Sequence, residues 1–338
     1  MPEFKLISVK TLLILVLLTS CLPLGCKPTN PAQQPTESKS AGSVLKGVGL
    51  SPKSNASDDF TEFFEKAKEA GKVVMWAGDW MELAKIPSGP LIVTELAPKY
   101  NYIPLIEVQF FTQATGKLLR PLNEATRQSY INMSLAFAQK YKPGYLGVGI
   151  EVNVLFEKSP SDFDIFVQLY ADVYNAVKAV SPDTKVFTVF QLEKMAGLNG
   201  GLFGGTNDLS QAQWSLLNKF PQSDMIAFTT YPGLIYKTPA DIPADYYTSI
   251  IRYTDKPLAF TEIGWHSEAS PVGWESSPAE QAEFVSVFFR LTQELNEELA
   301  VWSFVYDQDI IAPFNSMGLR YKDGSDKIAW NKWLEATG

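Results

Sequence analysis

The sequence predicts an α/β fold of the (β/α)8 barrel type, formed by a single domain. Short runs of β-branched and aromatic residues alternate with longer segments of helical periodicity, which is the pattern of parallel βα units. Eight such runs occur over about 290 residues, which suits a barrel, whereas a doubly wound sheet would leave an excess of strands. Hydrophobic residues form 46% of the chain and charged residues 20%, so a sizeable core is expected.

The eight predicted strands share a mostly apolar composition and follow one another at regular intervals. They are residues 46–52, 72–80, 104–111, 145–153, 185–193, 225–232, 257–265 and 299–309. Three of the intervening segments are amphipathic and have helix start signals, at residues 57–72, 159–180 and 277–295. In the last of these, Ser277 precedes Pro278, and Glu280 follows the serine by three positions, as in a capping box.

The N-terminus has the features of a bacterial export signal. Two lysines precede the apolar run TLLILVLLTSC, which is too short to be a permanent membrane helix. The letters LTSC at 18–21 resemble a bacterial lipobox, so residues 1–20 are predicted to be cleaved and Cys21 to carry lipid. Two alternatives stay open, namely Cys26 as the lipid site, and an ordinary cleaved signal with incidental cysteines.

A tether and one folded domain are predicted after this signal. Residues 21–43 are predicted to be a disordered linker, because residues 27–42 are rich in Pro, Ser, Thr and Gln and poor in apolar residues. Residues 44–338 contain the predicted barrel. The lipid would attach the protein to a membrane of the bacterial cell envelope, and we expect a monomer.

Charge and composition narrow the possible partners. The formal net charge is −8, which disfavours a nucleic-acid partner. Both cysteines lie in the leader, and His266 is the single histidine, so neither a thiolate nor a multi-histidine metal site is expected in the domain. The sequence therefore predicts no metal and no cofactor.

Glutamates end two of the predicted strands. Glu151 lies near the end of the fourth strand and Glu262 near the end of the seventh. The carboxyl ends of barrel strands carry the catalytic groups, so both side chains should face one mouth. Glycoside hydrolysis uses such a pair, because one carboxyl protonates the leaving oxygen and the other attacks the anomeric carbon.

This arrangement resembles the clan A glycoside hydrolases, in which an acid/base glutamate ends the fourth strand and a nucleophile ends the seventh. The stretch FTEIGW, residues 260–265, is similar to the nucleophile motif of several of its families, including endo-β-mannanases and β-glucanases. The resemblance implies that Glu151 is the acid/base and Glu262 the nucleophile of a retaining enzyme. It also implies that Tyr231 hydrogen-bonds the nucleophile and that Trp302 is the aromatic platform under the sugar.

Further polar and aromatic residues at or just after strand ends are expected to contact a carbohydrate. Aromatic rings stack on sugar C–H faces, while amides and carboxylates take the hydroxyls. Besides Tyr231 and Trp302, the predicted substrate-binding residues are Asn153, Trp265, His266, Trp80 and Gln109. The alternatives are plain packing for the tryptophans and a surface position for the histidine.

The sequence departs from the resemblance at two places. Ile150 stands directly before Glu151, where the clan usually has an asparagine that binds the sugar 2-hydroxyl. No arginine lies near the end of the second predicted strand, where many clan members carry one. The isoleucine favours a non-catalytic glycan-binding lipoprotein. A metal-dependent hydrolase or an aldolase is a further alternative. The single histidine disfavours it, and so does the absence of lysines at the predicted strand ends apart from Lys194.

The predicted function is therefore that of a lipid-anchored, retaining glycoside hydrolase. Its substrate would be a β-linked glycan of mannan, glucan or galactan type, cleaved by double displacement without a cofactor.

Overall fold

The computed structural model describes residues 44–271 and 273–337. The predicted signal segment, Cys21 and the predicted linker lie outside these residues and stay predictions. In the part of the chain that is described, no helix has both the length and the apolar composition needed to cross a membrane.

The strands form one parallel sheet that curls into a barrel, as the sequence predicts. Neighbouring strands pair in the order β5-β4-β3-β2-β1-β9-β8-β7-β6. Their bounds are Leu45–Gly49 (β1), Val73–Asp79 (β2), Ile103–Gln109 (β3), Tyr145–Val148 (β4), Lys185–Phe187 (β5), Val189–Gln191 (β6), Ile226–Thr230 (β7), Leu258–Ile263 (β8) and Glu297–Trp302 (β9).

The fifth predicted strand is divided into two. Only Thr188 separates β5 from β6, and its buried hydroxyl donates to the Gly149 carbonyl. Strand β5 pairs with β4, whereas β6 pairs with β7. The nine strands therefore occupy the eight predicted positions. The fifth position is shared by β5 and β6, which lie at the two ends of the sheet and are joined through Thr188.

Side chains alternate between two apolar layers. The smaller cluster fills the barrel interior and consists of Val73, Met75, Leu105, Tyr145, Ile150, Phe187, Val189, Met225, Ala227, Ala259, Leu299 and Val301. The larger cluster lies between the sheet and the surrounding helices. This alternation follows from the pleat of the strands, whose successive side chains point to opposite faces.

Helices surround most of the barrel. Their bounds are Ser57–Ala70 (α1), Gly89–Tyr100 (α2), Glu124–Tyr141 (α3), Val152–Lys158 (α4), Pro160–Val180 (α5), Leu192–Met195 (α6), Pro278–Thr292 (α7) and Ile328–Glu335 (α8). The three amphipathic segments are confirmed as α1, α5 and α7, and the Ser277 side chain accepts the Glu280 N–H at 3.3 Å as the predicted cap of α7. Residues 196–257, all of them described, contain only 3-10 helices outside β7.

All eight predicted strands end earlier in the structure, and the fourth and the eighth differ most from the prediction. The fourth ends at Val148, because Gly149 takes a positive φ of 83° and the chain turns into α4 at Val152. The eighth ends at Trp302 instead of residue 309. Glu151 therefore belongs to a turn between strand and helix, at the carboxyl edge of the sheet where Glu262 also lies.

Candidate active site

Glu262 is placed by an irregular stretch of β8. The register of β8 shifts against β9 between Phe260 and Ile263 and against β7 at Phe228/Thr229. Such a shift re-aims side chains near a strand end. It leaves Glu262 opposite Thr229 of β7 and only 8% exposed at the barrel mouth.

Glu151 is placed by the turn that follows β4. Its backbone is left-handed, with φ 55° and ψ 41°, and it immediately precedes the first residue of α4. A left-handed non-glycine residue is uncommon, and such strain is often found at functional sites. The Thr229 hydroxyl donates a 2.7 Å hydrogen bond to Glu151 Oε1. Thr229 thus contacts one glutamate with its side chain and faces the other, Glu262, in the sheet.

Tyr231 lies directly beside the second carboxylate. Its hydroxyl donates a 2.5 Å hydrogen bond to Glu262 Oε2 and shares a 2.9 Å hydrogen bond with Ser303 Oγ. This contact is the one that the sequence resemblance implies for Tyr231. Ser303, one residue past β9, is a partner that the sequence did not single out.

The two carboxyl groups have unequal electrostatic surroundings. Burial raises the pKa of Glu151 to about 8, and the nearby charge of Glu262 adds to that shift. Burial also raises the pKa of Glu262, but the hydrogen bond from Tyr231 opposes the rise by stabilising the carboxylate. At neutral pH this arrangement favours a proton on Glu151, while the Tyr231 hydroxyl stabilises the charged form of Glu262.

A third carboxyl group lies inside the barrel near this pair. Glu107 occupies the middle of β3 between Ala77 and Gly147, is fully buried, and has no hydrogen-bond partner for either oxygen among the described residues. Burial, with the charge of Glu262 next in size, raises its pKa well above the ordinary value. Burial therefore favours the neutral form of Glu107. Glu107 lies two positions after the inward-facing Leu105, so strand alternation in the sequence directs this charged residue to the barrel interior.

Two amide residues from the predicted site are used within the protein. Asn153 is fully buried in the first turn of α4, where it donates to the Gln191 carbonyl at 3.1 Å and accepts the Gln191 N–H at 2.8 Å. Gln109, at the end of β3, donates to the Ile150 carbonyl at 3.3 Å. Both side chains connect neighbouring barrel segments, so neither amide is free for a sugar in this structure.

Three predicted aromatic contacts are fully buried. The Trp302 ring packs against Phe284 and Trp333 on the helix side of the sheet, and its indole N–H donates to the Met317 carbonyl at 2.8 Å. This position does not fit the predicted platform. Trp265 stacks on Phe284 and on His266. Neither Trp265 nor His266 is exposed.

His266 is buried instead of lying on the surface. Both ring nitrogens lack partners within the described residues. Burial lowers its pKa to about 4, so the ring is neutral at physiological pH.

Trp80 also faces the protein and forms part of a small cluster. It is 2% exposed and packs on Tyr130. Arg120, which comes from the loop after β3, lies over the Trp80 ring and binds Asp79 at the end of β2 with two hydrogen bonds of 2.8 and 2.7 Å. An arginine therefore does stand near the end of the second strand, although it comes from a later loop and pairs with an aspartate.

Two further acidic residues pair with lysines. Lys327 pairs with Asp307 at 2.6 Å and Lys194 with Glu157 at 2.9 Å. Residues 44–271 and 273–337 contain no group of three or more His, Cys, Asp or Glu side chains arranged to hold a metal ion.

The similarity of this chain to known proteins lies in its fold. No protein-family model and no curated protein sequence matches the chain. Solved structures do match. GH5_18 from Streptomyces cattleya, determined with GlcNAc, gives a TM-score of 0.62 at 15% identity over 88% of this chain and 80% of its own. A psychrophilic family 10 endo-β-1,4-xylanase gives 0.59 at 12% identity over 87% of this chain and 97% of its own.

A larger structural neighbour is also a glycoside hydrolase. A family 39 glycoside hydrolase from the gut symbiont Bacteroides cellulosilyticus WH2 gives a TM-score of 0.60 at 17% identity over 86% of this chain. The chain spans 62% of that protein and 50% of a β-glucuronidase from an uncultured Clostridium species. These likenesses show the fold, a (β/α)8 barrel whose structural neighbours are glycoside hydrolases of families 39, 10 and 5.

Proposed function

We propose that this protein is a retaining glycoside hydrolase, with Glu262 as the nucleophile and Glu151 as the acid/base. One observation carries the proposal, namely the unequal surroundings of two carboxyl groups that meet around Thr229. Glu151, with a pKa near 8, is suited to donate a proton. Glu262 accepts a hydrogen bond from the Tyr231 hydroxyl, and this bond suits a carboxylate that must stay charged until it attacks.

The proposed reaction has two steps. First, a Glu262 oxygen attacks the anomeric carbon as the glycosidic bond breaks, and the Glu151 proton passes to the departing oxygen. Next, Glu151, now a carboxylate, takes a proton from water while the water oxygen displaces Glu262. Two inversions give net retention, and this requires carboxyl groups about 5–5.5 Å apart.

We infer that the substrate is a β-linked glycan of mannan, glucan or galactan type. Support comes from the FTEIGW stretch around Glu262 and its similarity to endo-β-mannanase and β-glucanase motifs. The structural neighbours are named for differing sugars, among them a xylanase and a GlcNAc complex. Xylans therefore belong in the same test.

Reducing-sugar release tests this proposal. The full chain, purified in detergent, is incubated with β-mannans, β-glucans, galactans and xylans, beside Glu262→Gln and Glu151→Gln. Release by the wild type and loss in Glu262→Gln would support it and name the substrate. Equal release by all three proteins would contradict it. Proton NMR of the first-formed anomer distinguishes retention from inversion.

A glycan-binding lipoprotein without turnover is the second candidate. Ile150 favours it, because this side chain belongs to the apolar barrel interior instead of offering an amide to a sugar. Calorimetric binding of a glycan by the wild type, with no product after prolonged incubation, would favour this candidate.

We also propose export and lipid attachment at Cys21, followed by anchoring in the bacterial cell envelope. The support is the LTSC sequence at 18–21 and the apolar run before it. Cys21→Ser should move the protein from the membrane fraction to the soluble fraction, while Cys26→Ser should not. The opposite pattern would make Cys26 the lipid site, and no change in either variant would contradict lipid attachment.

A further inference from the structure

Glu193 is a buried carboxylate that the proposed reaction does not use. It lies in α6, just after β6, and its side chain has no exposed surface. Burial raises its pKa, and the hydrogen bonds that it accepts oppose the rise. A buried carboxyl group is costly unless several donors satisfy it, so the identity of those donors indicates its role.

The donors to Glu193 come from the neighbouring strand and the loops around it. Its Oε1 atom accepts the Tyr231 backbone N–H at 2.9 Å, the Tyr246 hydroxyl at 2.6 Å and the Thr230 hydroxyl at 3.2 Å. Its Oε2 atom accepts the Gln191 side-chain amide at 2.5 Å. Two of these donors are Thr230 and Tyr231, which end β7 and begin the following loop.

Tyr231 is therefore held at both ends. Its backbone N–H binds Glu193, and its hydroxyl binds Glu262 Oε2 and Ser303 Oγ. The residue then leads directly into a 3-10 helix at Pro232–Leu234. A shift of the Tyr231 backbone would move the hydroxyl relative to Glu262, because the ring connects the two contacts rigidly.

We propose that Glu193 is a positioning residue that acts through Tyr231, keeping the tyrosine hydroxyl on the Glu262 carboxylate. The proposal rests on the proposed function for its catalytic consequence, although the contact itself does not depend on turnover. Glu193 does not act on the substrate directly, since its carboxyl group is enclosed by its four donors.

A competing explanation makes an opposite prediction. If Glu193 acted only as a nearby negative charge, neutralising it would make ionisation of the site carboxyls easier and lower the pKa of Glu262. If Glu193 positions Tyr231, neutralising it weakens the hydrogen bond that stabilises the Glu262 carboxylate, and the pKa of Glu262 rises. The direction of the change therefore separates the two roles.

The test compares Glu193→Gln, Tyr231→Phe and the double variant with the wild type. The Glu262 carboxyl carbon is titrated by 13C NMR and assigned by its absence in Glu262→Gln, which requires no substrate. We expect an upward shift in Glu193→Gln, a larger one in Tyr231→Phe, and no further shift in the double variant. Tyr246→Phe, which removes one donor to Glu193, provides a milder variant should Glu193→Gln fail to fold.

Kinetics supply the second readout if the enzyme is active. Loss of a hydrogen bond to a charged group predicts a fall of about 10- to 150-fold in kcat for Tyr231→Phe. Glu193→Gln should lose less, with KM unchanged and the acidic limb of the kcat/KM profile moved to higher pH. Glu297→Gln is the matched control, because it also removes a buried carboxyl group, at the start of β9, and should leave the limb in place.

Each outcome decides the matter. A downward shift of the Glu262 pKa in Glu193→Gln, or a shift equal in size with and without the Tyr231 hydroxyl, would overturn the positioning role. A wild type that hydrolyses no glycan but shows the expected NMR shifts would reject the proposed function and keep the contact between Glu193 and Tyr231.

Discussion

The Thr229 hydroxyl donates a 2.7 Å hydrogen bond to Glu151 Oε1, and the same threonine stands opposite Glu262 in the pairing of β7 with β8. One residue therefore binds the Glu151 carboxyl group and pairs with Glu262 in the sheet. The hydrogen bond stabilises the charged form of Glu151 and holds down a pKa that burial raises.

Removing the Thr229 hydroxyl should make Glu151 a weaker acid. In Thr229→Val the Glu151 carboxylate loses its donor, so its pKa should rise above the wild-type value of about 8. The alkaline limb of the kcat/KM profile should move to higher pH. Thr229→Ser keeps the hydroxyl and should retain the wild-type limb; identical profiles for all three proteins would reject this role for Thr229.

The loss of activity caused by removing the Glu151 proton should depend on the leaving group of the substrate. General-acid assistance contributes about 10²–10⁴-fold, so Glu151→Gln should lose about that much on a glycan or a simple alkyl glycoside. An aryl glycoside with an acidic phenol needs little protonation, and its first step should survive as a burst of phenol. The wild type should lose activity above a pH of about 8, as Glu151 ionises. A variant equally impaired on both substrates, with no burst, would exclude this acid.

Glu107 should make the protein less stable as the pH rises. Its pKa in the folded chain lies well above the ordinary 4.5, so the folded state holds a proton that the unfolded state releases. The free energy of unfolding should therefore fall by about 1.4 kcal/mol per pH unit between the unfolded and folded pKa values. Glu107→Gln removes this dependence and should be more stable than wild type at pH 8, with the difference shrinking towards pH 4.

Urea denaturation at several pH values measures the effect of Glu107. Glu65→Gln, an exposed position on α1, is the control and should follow the wild-type curve. Parallel curves for wild type and Glu107→Gln would mean that Glu107 is ionised in the folded protein.

Trp302 should affect stability and not substrate affinity. Trp302→Phe leaves the buried Met317 carbonyl without its donor, which costs about 1–3 kcal/mol of unfolding free energy. The KM of the folded variant should equal that of the wild type. A KM raised tenfold with unchanged stability would return Trp302 to the role of a sugar platform.

The sequence predicts the barrel well because its signals are local. Apolar runs and amphipathic helices report on which faces are buried, and those faces depend little on distant residues. The split of the fifth strand at Thr188 was not predictable, because the letters on both sides continue to favour a strand. The short 3-10 helices in residues 196–257 likewise leave no strong periodic signal.

The site was predicted in part. Tyr231 contacts Glu262 as the resemblance implies, whereas Trp302 faces the helices. Simple alternation gives a reason for the latter, since Leu299 and Val301 face the interior and Trp302 must then face outwards. Thr229 and Glu193 act through hydrogen bonds between residues tens of positions apart, and single-sequence patterns do not report such contacts.

The irregular register of β8 constrains how this chain can change. Thr261 is near enough to act on the Glu107 carboxyl group, and the next residue, Glu262, binds Tyr231 at the mouth, so two successive side chains are directed to the same region. Substitutions there alter one contact at a time. Phe260 and Ile263 both pack on the helix side, so a one-residue deletion between them would restore strict alternation and leave one inward side chain where the chain now has two. The number of residues in this segment is thus as much a part of the proposed active site as their identities.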